Sequence, residues 1–103
     1  MKITLLIEGK NKEIVQDFIS GLALRKTLEM QKKISAKQNS VDETTLDSMA
    51  DYIVYLFGAQ FTRDQFYDGI RASDLISTVV RCIDEVVSGV GEAVGADPDA
   101  PNV

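Results

Sequence analysis

Two acid pairs, Asp64 with Asp68 and Asp84 with Glu85, and one thiol, Cys82, are the side chains whose types and spacing invite chemistry. Carboxylates one helical turn apart are spaced to share a proton or hold a cation, and a thiolate is a nucleophile. The remainder of the machinery is missing. The 103-residue sequence contains no histidine, which removes the commonest acid/base group and every histidine-dependent serine or cysteine triad. Asp97, Asp99 and Asn102 lack the spacing, central glycine and closing glutamate of a calcium loop. No glycine-rich phosphate cradle occurs. Cys82 sits in an apolar helical pattern, where a small buried hydrophobe is expected rather than an activated thiolate. The carboxylates therefore read as solvated helix faces, and no catalytic residue, cofactor or metal is expected.

The totals narrow the class further. One domain with one modest core is the simplest reading of 103 residues that are 45% hydrophobic and 26% charged. The longest apolar run, "YIVYLFGA", is far short of the about 20 residues that a membrane-crossing helix needs. The start, "MKITLLIEGK", lacks the pattern of a secretory leader, and a single cysteine fits a reducing compartment, so a cytoplasmic protein is expected. The net charge of −5 is unevenly spread: residues 1–40 carry eight Lys/Arg against four Asp/Glu, and residues 41–103 carry three against twelve. Such polarity lets copies associate head to tail, or lets the basic half lie against the acidic half of the same chain. Basic residues on the first helix give nucleic-acid binding a little support. The sequence pI near 4.6 and the lack of interleaved aromatic platforms argue against it.

The elements that would carry these residues can be read from periodicity. Ile3, Leu5 and Ile7 alternate with polar neighbours, Leu6 breaking the pattern, and "GKN" at 9–11 followed by "KEIVQDFI" predicts a hairpin. Ser20 is placed to cap a helix over "GLALRKTLEMQKKI", with Leu22, Leu24 and Leu28 turned away from Arg25, Lys26, Lys32, Lys33 and Lys37. Ser40 and Glu43 read as a capping box opening a second helix, whose stripe is Leu46, Met49, Ala50, Ile53 and Phe57 and whose end suits Gly58. Thr62 with Gln65 forms another capping box, Phe61 with Phe66 a hydrophobic staple, and Gly69 ends that short helix. Ser73 is the expected cap of a last helix with Ile76, Val79, Val80, Ile83, Val87 and Val90 on its buried stripe. Composition then predicts a flexible acidic tail at 91–103 after a single domain at 1–90. The fold class is mainly helical α+β, an N-terminal hairpin packed on three to four helices.

With no chemistry in view, a protein-binding surface is the leading class. Tyr52, Tyr55 and Tyr67 bury area while keeping a polar tip, although any one of them also suits the edge of a core.

Taken together, "MKITLLIEGK", "FISGLALRKTLEM", "MADYIVYLFGAQFTRDQFYDGI" and "DLISTVVRCIDEVV" resemble the tail assembly chaperones of long, non-contractile-tailed bacteriophages, over roughly residues 1–90. The resemblance implies a non-enzymatic protein of the host cytoplasm, not retained in the virion. It would bind the helical tape measure protein, keep it soluble and help recruit the tail tube protein, in some relatives through a frameshifted longer form. A homo-oligomer is expected, with no nucleic acid and no membrane among its partners. The partner contacts are expected on the elbow at Gln65, Tyr67, Asp68 and Arg71, with Tyr55 and the Arg25/Lys26 face as lesser candidates. Two other readings stand beside this one: a small transcriptional or DNA-associated regulator using the basic first helix, and a structural subunit that stays in the virion.

Overall fold

The computed structural model describes residues 1–36 and 41–95. It shows the expected class: an N-terminal hairpin packed against four helices. Strand β1, Lys2–Ile7, pairs antiparallel with β2, Lys10–Val15, in a register running from Lys2 opposite Val15 to Ile7 opposite Lys10. The turn is only Glu8 and Gly9, with φ of 53° and 77°, the two positive values that a two-residue type I′ turn demands. Asn11, expected in the turn, is instead a strand residue opposite Leu6. Ile3, Leu5 and Ile14 are buried, while Leu6 points to the outer face, which accounts for its break in the alternation.

Helix α1 covers Gly21–Ala36 and is capped as expected, the Ser20 hydroxyl accepting from the Ala23 N–H at 3.0 Å. Its fully buried residues are not the leucines, although Leu24 packs partly buried against the core. Ala23, Thr27 and Met30 are buried, whereas Leu22 and Leu28 are about half exposed. Thr27 is tolerated inside because its hydroxyl donates to the Ala23 carbonyl at 2.7 Å and meets the Tyr52 hydroxyl at 2.7 Å, so neither polar tip is orphaned.

Helix α2, Glu43–Leu56, starts behind Asp42, whose carboxylate accepts from the Thr45 N–H at 2.9 Å. Asp42 has an extended backbone, φ −98° and ψ 178°, so this residue replaces the expected cap at Ser40, which lies outside the described residues. The helix ends in a Schellman arrangement. Gly58 takes φ 69°, its N–H bonding the Tyr55 carbonyl at 3.0 Å, and the Ala59 N–H reaches the Val54 carbonyl at 2.9 Å.

Helix α3, Arg63–Gly69, lies across β1, and Gly69 is what lets it do so. A Cβ at Gly69 would stand 2.8 Å from the Leu6 carbonyl oxygen and 3.0 Å from the Leu6 nitrogen, inside any van der Waals contact. Helix α4, Ala72–Gly95, then begins two residues earlier than a Ser73 cap allows, the Asp74 N–H bonding the Arg71 carbonyl at 2.9 Å. It continues beyond residue 90, where the apolar pattern thins; residues 96–103 of the expected tail lie outside the described residues. Its buried line is Leu75, Val79, Cys82, Ile83 and Val86. Ile76 and Val80, expected inside, are exposed on the adjoining line of the same helix. The core they border centres on Leu5, Met49, Ile53, Phe57, Phe66 and Val79, all fully buried.

Candidate functional site

The elbow between α2 and α4 forms as its residues dictate. Thr62 accepts from the Gln65 N–H at 3.1 Å while the Gln65 side chain accepts from the Thr62 N–H at 2.9 Å, a reciprocal capping box. Phe61 and Phe66 close the staple with ring centres 6.2 Å apart, and Phe57 adds a third ring 6.1 Å from Phe61. All three are buried.

A polar clamp ties the back of this elbow to α2. Arg63 donates to both carboxylate oxygens of Asp51, Nε at 2.8 Å and one terminal nitrogen at 2.7 Å, and another terminal nitrogen lies 3.8 Å from Asp47. The Tyr67 hydroxyl donates to the same Asp47 at 2.7 Å. The guanidinium hydrogen bonds hold the Asp51 carboxyl below its ordinary range, against a smaller opposing effect of desolvation. Burial, then the hydrogen bond to the Asp47 carboxylate, pushes the Tyr67 phenol up to about 12. Asp47 and Asp51 are one turn apart on α2, a spacing that the sequence displays but that has no meaning until Arg63 and Tyr67 are folded onto it.

The seven candidate contact residues therefore occupy different situations. Gln65 is engaged in capping and Tyr67 is half-buried against the core and bonded to Asp47. Asp68 and Arg71 are exposed and line a cleft of about 360 Å³ with Thr4, Leu6, Asn11 and Arg81, between the hairpin and α4. Tyr55 and Lys26 face each other across the α1–α2 groove, the ammonium 4.9 Å from the ring centre. Arg25 is exposed on α1, at 3.9 Å from Glu29. The elbow's exposed charged pair and the α1 group are thus not one assembled site.

Sequence periodicity missed a different surface. Phe18, in the connection between β2 and α1, is 76% exposed. It borders a groove of about 600 Å³ with Met1, Ile19, Leu24, Val86 and Gly89. Periodicity runs Phe18 on within the extended segment "KEIVQDFI", whereas β2 ends at Val15, and that early end is what leaves the ring outside the sheet.

No chemistry gathers at any of these places. Burial pushes the Cys82 thiol up to about 11, so it is an inert core residue. Among the described residues no group of three His, Cys, Asp or Glu is arranged to hold a metal ion, and no helix is long and apolar enough to cross a membrane. The sequence profile of a family described as "phage tail chaperone protein" matches residues 1–101. No curated protein and no solved structure matches the chain.

Proposed function

We propose, proceeding from the fact that this chain belongs to the phage tail chaperone protein family, that it binds the tape measure protein of a long non-contractile tail, keeps it soluble and helps recruit tail tube subunits. The general role in tail assembly follows from the membership, and members of this family are not catalysts. The observation that carries the proposal is the extent of the match, which takes in both strands and all four helices.

The surface supports an action by contact. A long helical client exposes apolar stripes before it is packed in a tail, and several small copies spaced along it add weak contacts into durable cover. Copies of this chain, acting as an oligomer in the bacterial cytoplasm, provide that multiplicity. Asp68 and Arg71 on the elbow, with Gln65 and Tyr67 behind them, and the Tyr55, Arg25 and Lys26 group are the charged and aromatic contacts proposed for assembly partners. Recruitment of tube subunits would use a longer, frameshifted form.

The test is co-expression with the long helical protein encoded downstream. The client moves to the soluble fraction and copurifies with this chain; a client that aggregates equally with and without it sinks the reading.

A further inference from the structure

The surface least explained by the fold is the flank of α1. Leu24 lines the groove beside Phe18 and Ile19, and Leu28 lies one turn further along the same face and is half exposed. Gly21, three residues before Leu24, also borders the groove. Phe18, Leu24 and Leu28 thus make an apolar track leading from the groove along the helix. Both glycines that border it, Gly21 and Gly89, have open space where a Cβ would stand. Gly89 lies inside α4, where glycine is a poor helix former, without a positive φ and without a contact that requires it.

The outer edge of the track is basic. Arg25 and Lys32 sit three residues before and four after Leu28, so their side chains border it. The Arg25 contact with Glu29 is 3.9 Å long between exposed side chains, and no ion pair among the described residues engages Lys32. On the opposite rim, Glu85 is already bonded to Arg81 at 2.8 Å, leaving Asp17 as a lone acid there.

We propose that the Phe18, Leu24 and Leu28 track seats one amphipathic helix of a partner protein whose apolar stripe is edged by Asp or Glu facing Arg25 and Lys32. A helix is the fitting shape because the track follows i, i+4 spacing and is open at its glycines, where a partner backbone can come close. An acidic edge is fitting because it meets two cations with no strong partner of their own. The chain's own last eight residues carry Asp97 and Asp99 but, as a large apolar side chain, Val103 alone, which makes no stripe. The acidic α4 of a second copy offers, among its described residues, Ile76 and Val80 as exposed large apolar side chains. Two partly exposed side chains are far from the roughly 800 Å² per partner of a stable interface.

That the occupant is the assembly client rests on the chaperone reading; the track itself does not. The probe is a designed peptide of about five helical turns with a leucine stripe edged by glutamate, compared with the same stripe edged by lysine, titrated into the full chain. The glutamate form binds, the lysine form is weaker by about tenfold or more, and Leu28→Ser or Phe18→Ser weakens the glutamate form by a similar factor with the melting midpoint unmoved. The double charge reversal Arg25→Glu with Lys32→Glu inverts the preference. Binding of neither peptide, equal binding of both, insensitivity to Leu28→Ser, self-association through this face in sedimentation, or a short DNA duplex competing for it overturns the proposal. Failure of the co-expression test with peptide binding intact removes the client and leaves the track; the converse does the opposite.

Discussion

The elbow and the α1 flank draw on the same side chains, phenylalanine, leucine-sized aliphatics and arginine, and use them in opposite ways. At the elbow Phe61 and Phe66 are buried, Arg63 is bidentate on Asp51, and Tyr67 is bonded to Asp47. On the flank Phe18 and Leu28 are exposed, and Lys32 has no ion-pair partner among the described residues. What the elbow does with its rings and charges is hold α2, α3 and β1 in one arrangement. The flank contributes little to that arrangement, which leaves its apolar area free for another molecule.

The largest expected contrast is between two phenylalanines. Phe66 is fully buried among the rings of the elbow and the core, so Phe66→Ala should cost about 3–5 kcal/mol. Phe18→Ala removes a ring that is already mostly in water and should change stability by no more than about 0.5 kcal/mol. Urea midpoints at unchanged slope measure both. Similar losses at the two sites would erase the distinction between a structural and an available aromatic.

Two glycines sharpen the same contrast at smaller magnitude. Gly69→Ala drives a methyl into the Leu6 backbone, which cannot rotate away, and an overpacking loss of about 1–3 kcal/mol follows. Gly89→Ala meets nothing within 4 Å and should stabilise α4 by about 0.5–1 kcal/mol. A gain at Gly89 together with weaker binding of the glutamate-edged peptide would mark a position where stability has been yielded for access. A loss of stability there would mean that α4 is packed in a way the described contacts do not show.

The hairpin, the Ser20 cap, the Thr62–Gln65 box, the ring staple and the Gly58 helix end were legible because each is decided within a few residues by hydrogen bonding or backbone freedom. The start of α2 was misplaced because Ser40 and Asp42 are both competent caps, and the sequence does not say at which one the backbone leaves the extended region. The faces of α1 and α4 were misread for a different reason. In α4 two adjoining apolar lines, one through Leu75, Val79, Cys82 and Val86 and one through Ile76 and Val80, satisfy helical periodicity equally. In α1 the small Ala23 and Thr27 were buried ahead of leucines, because α1 lies close to α2 and the Thr27 hydroxyl finds Tyr52 there. Close approach and a long-range hydrogen bond are tertiary facts, so the exposed Phe18 and Leu28 were legible only after folding.

That buried hydroxyl pair gives the next prediction. Tyr52→Phe deletes its bond to Thr27, which still donates to the Ala23 carbonyl, so the loss should be about 1 kcal/mol. Burial pushes the Tyr52 phenol up to about 12, while in the unfolded chain it ionises near its ordinary value of 10.0. A raised folded value means the contribution is complete below pH about 10 and fades as pH climbs toward 12. Stability of the wild-type chain should therefore fall across that alkaline window, and Tyr52→Phe should fall less steeply. Parallel slopes for the two proteins would show that Tyr52 ionises alike in the folded and unfolded chain.

The smallest effect concerns the clamp. Asp51 is held below its ordinary value of 3.8 chiefly by the hydrogen bonds from Arg63. A depressed folded value means that its contribution is present above the unfolded value, and is lost as pH falls through the folded one. Asp51→Asn should therefore lower the urea midpoint slightly at pH 7, with the gap closing as pH falls below 3.8. The matching change on the flank is Glu29→Gln beside Arg25. There the charges are 3.9 Å apart and mostly in water, so no resolvable difference is expected at pH 7. Asp51 is reached by an arginine of the next helix and Glu29 by one a turn away on its own helix, and only Asp51 is met by two short parallel hydrogen bonds. A midpoint shift at Glu29 as large as that at Asp51 would show that charge alone, rather than the bidentate geometry of the elbow, sets the strength of these pairs.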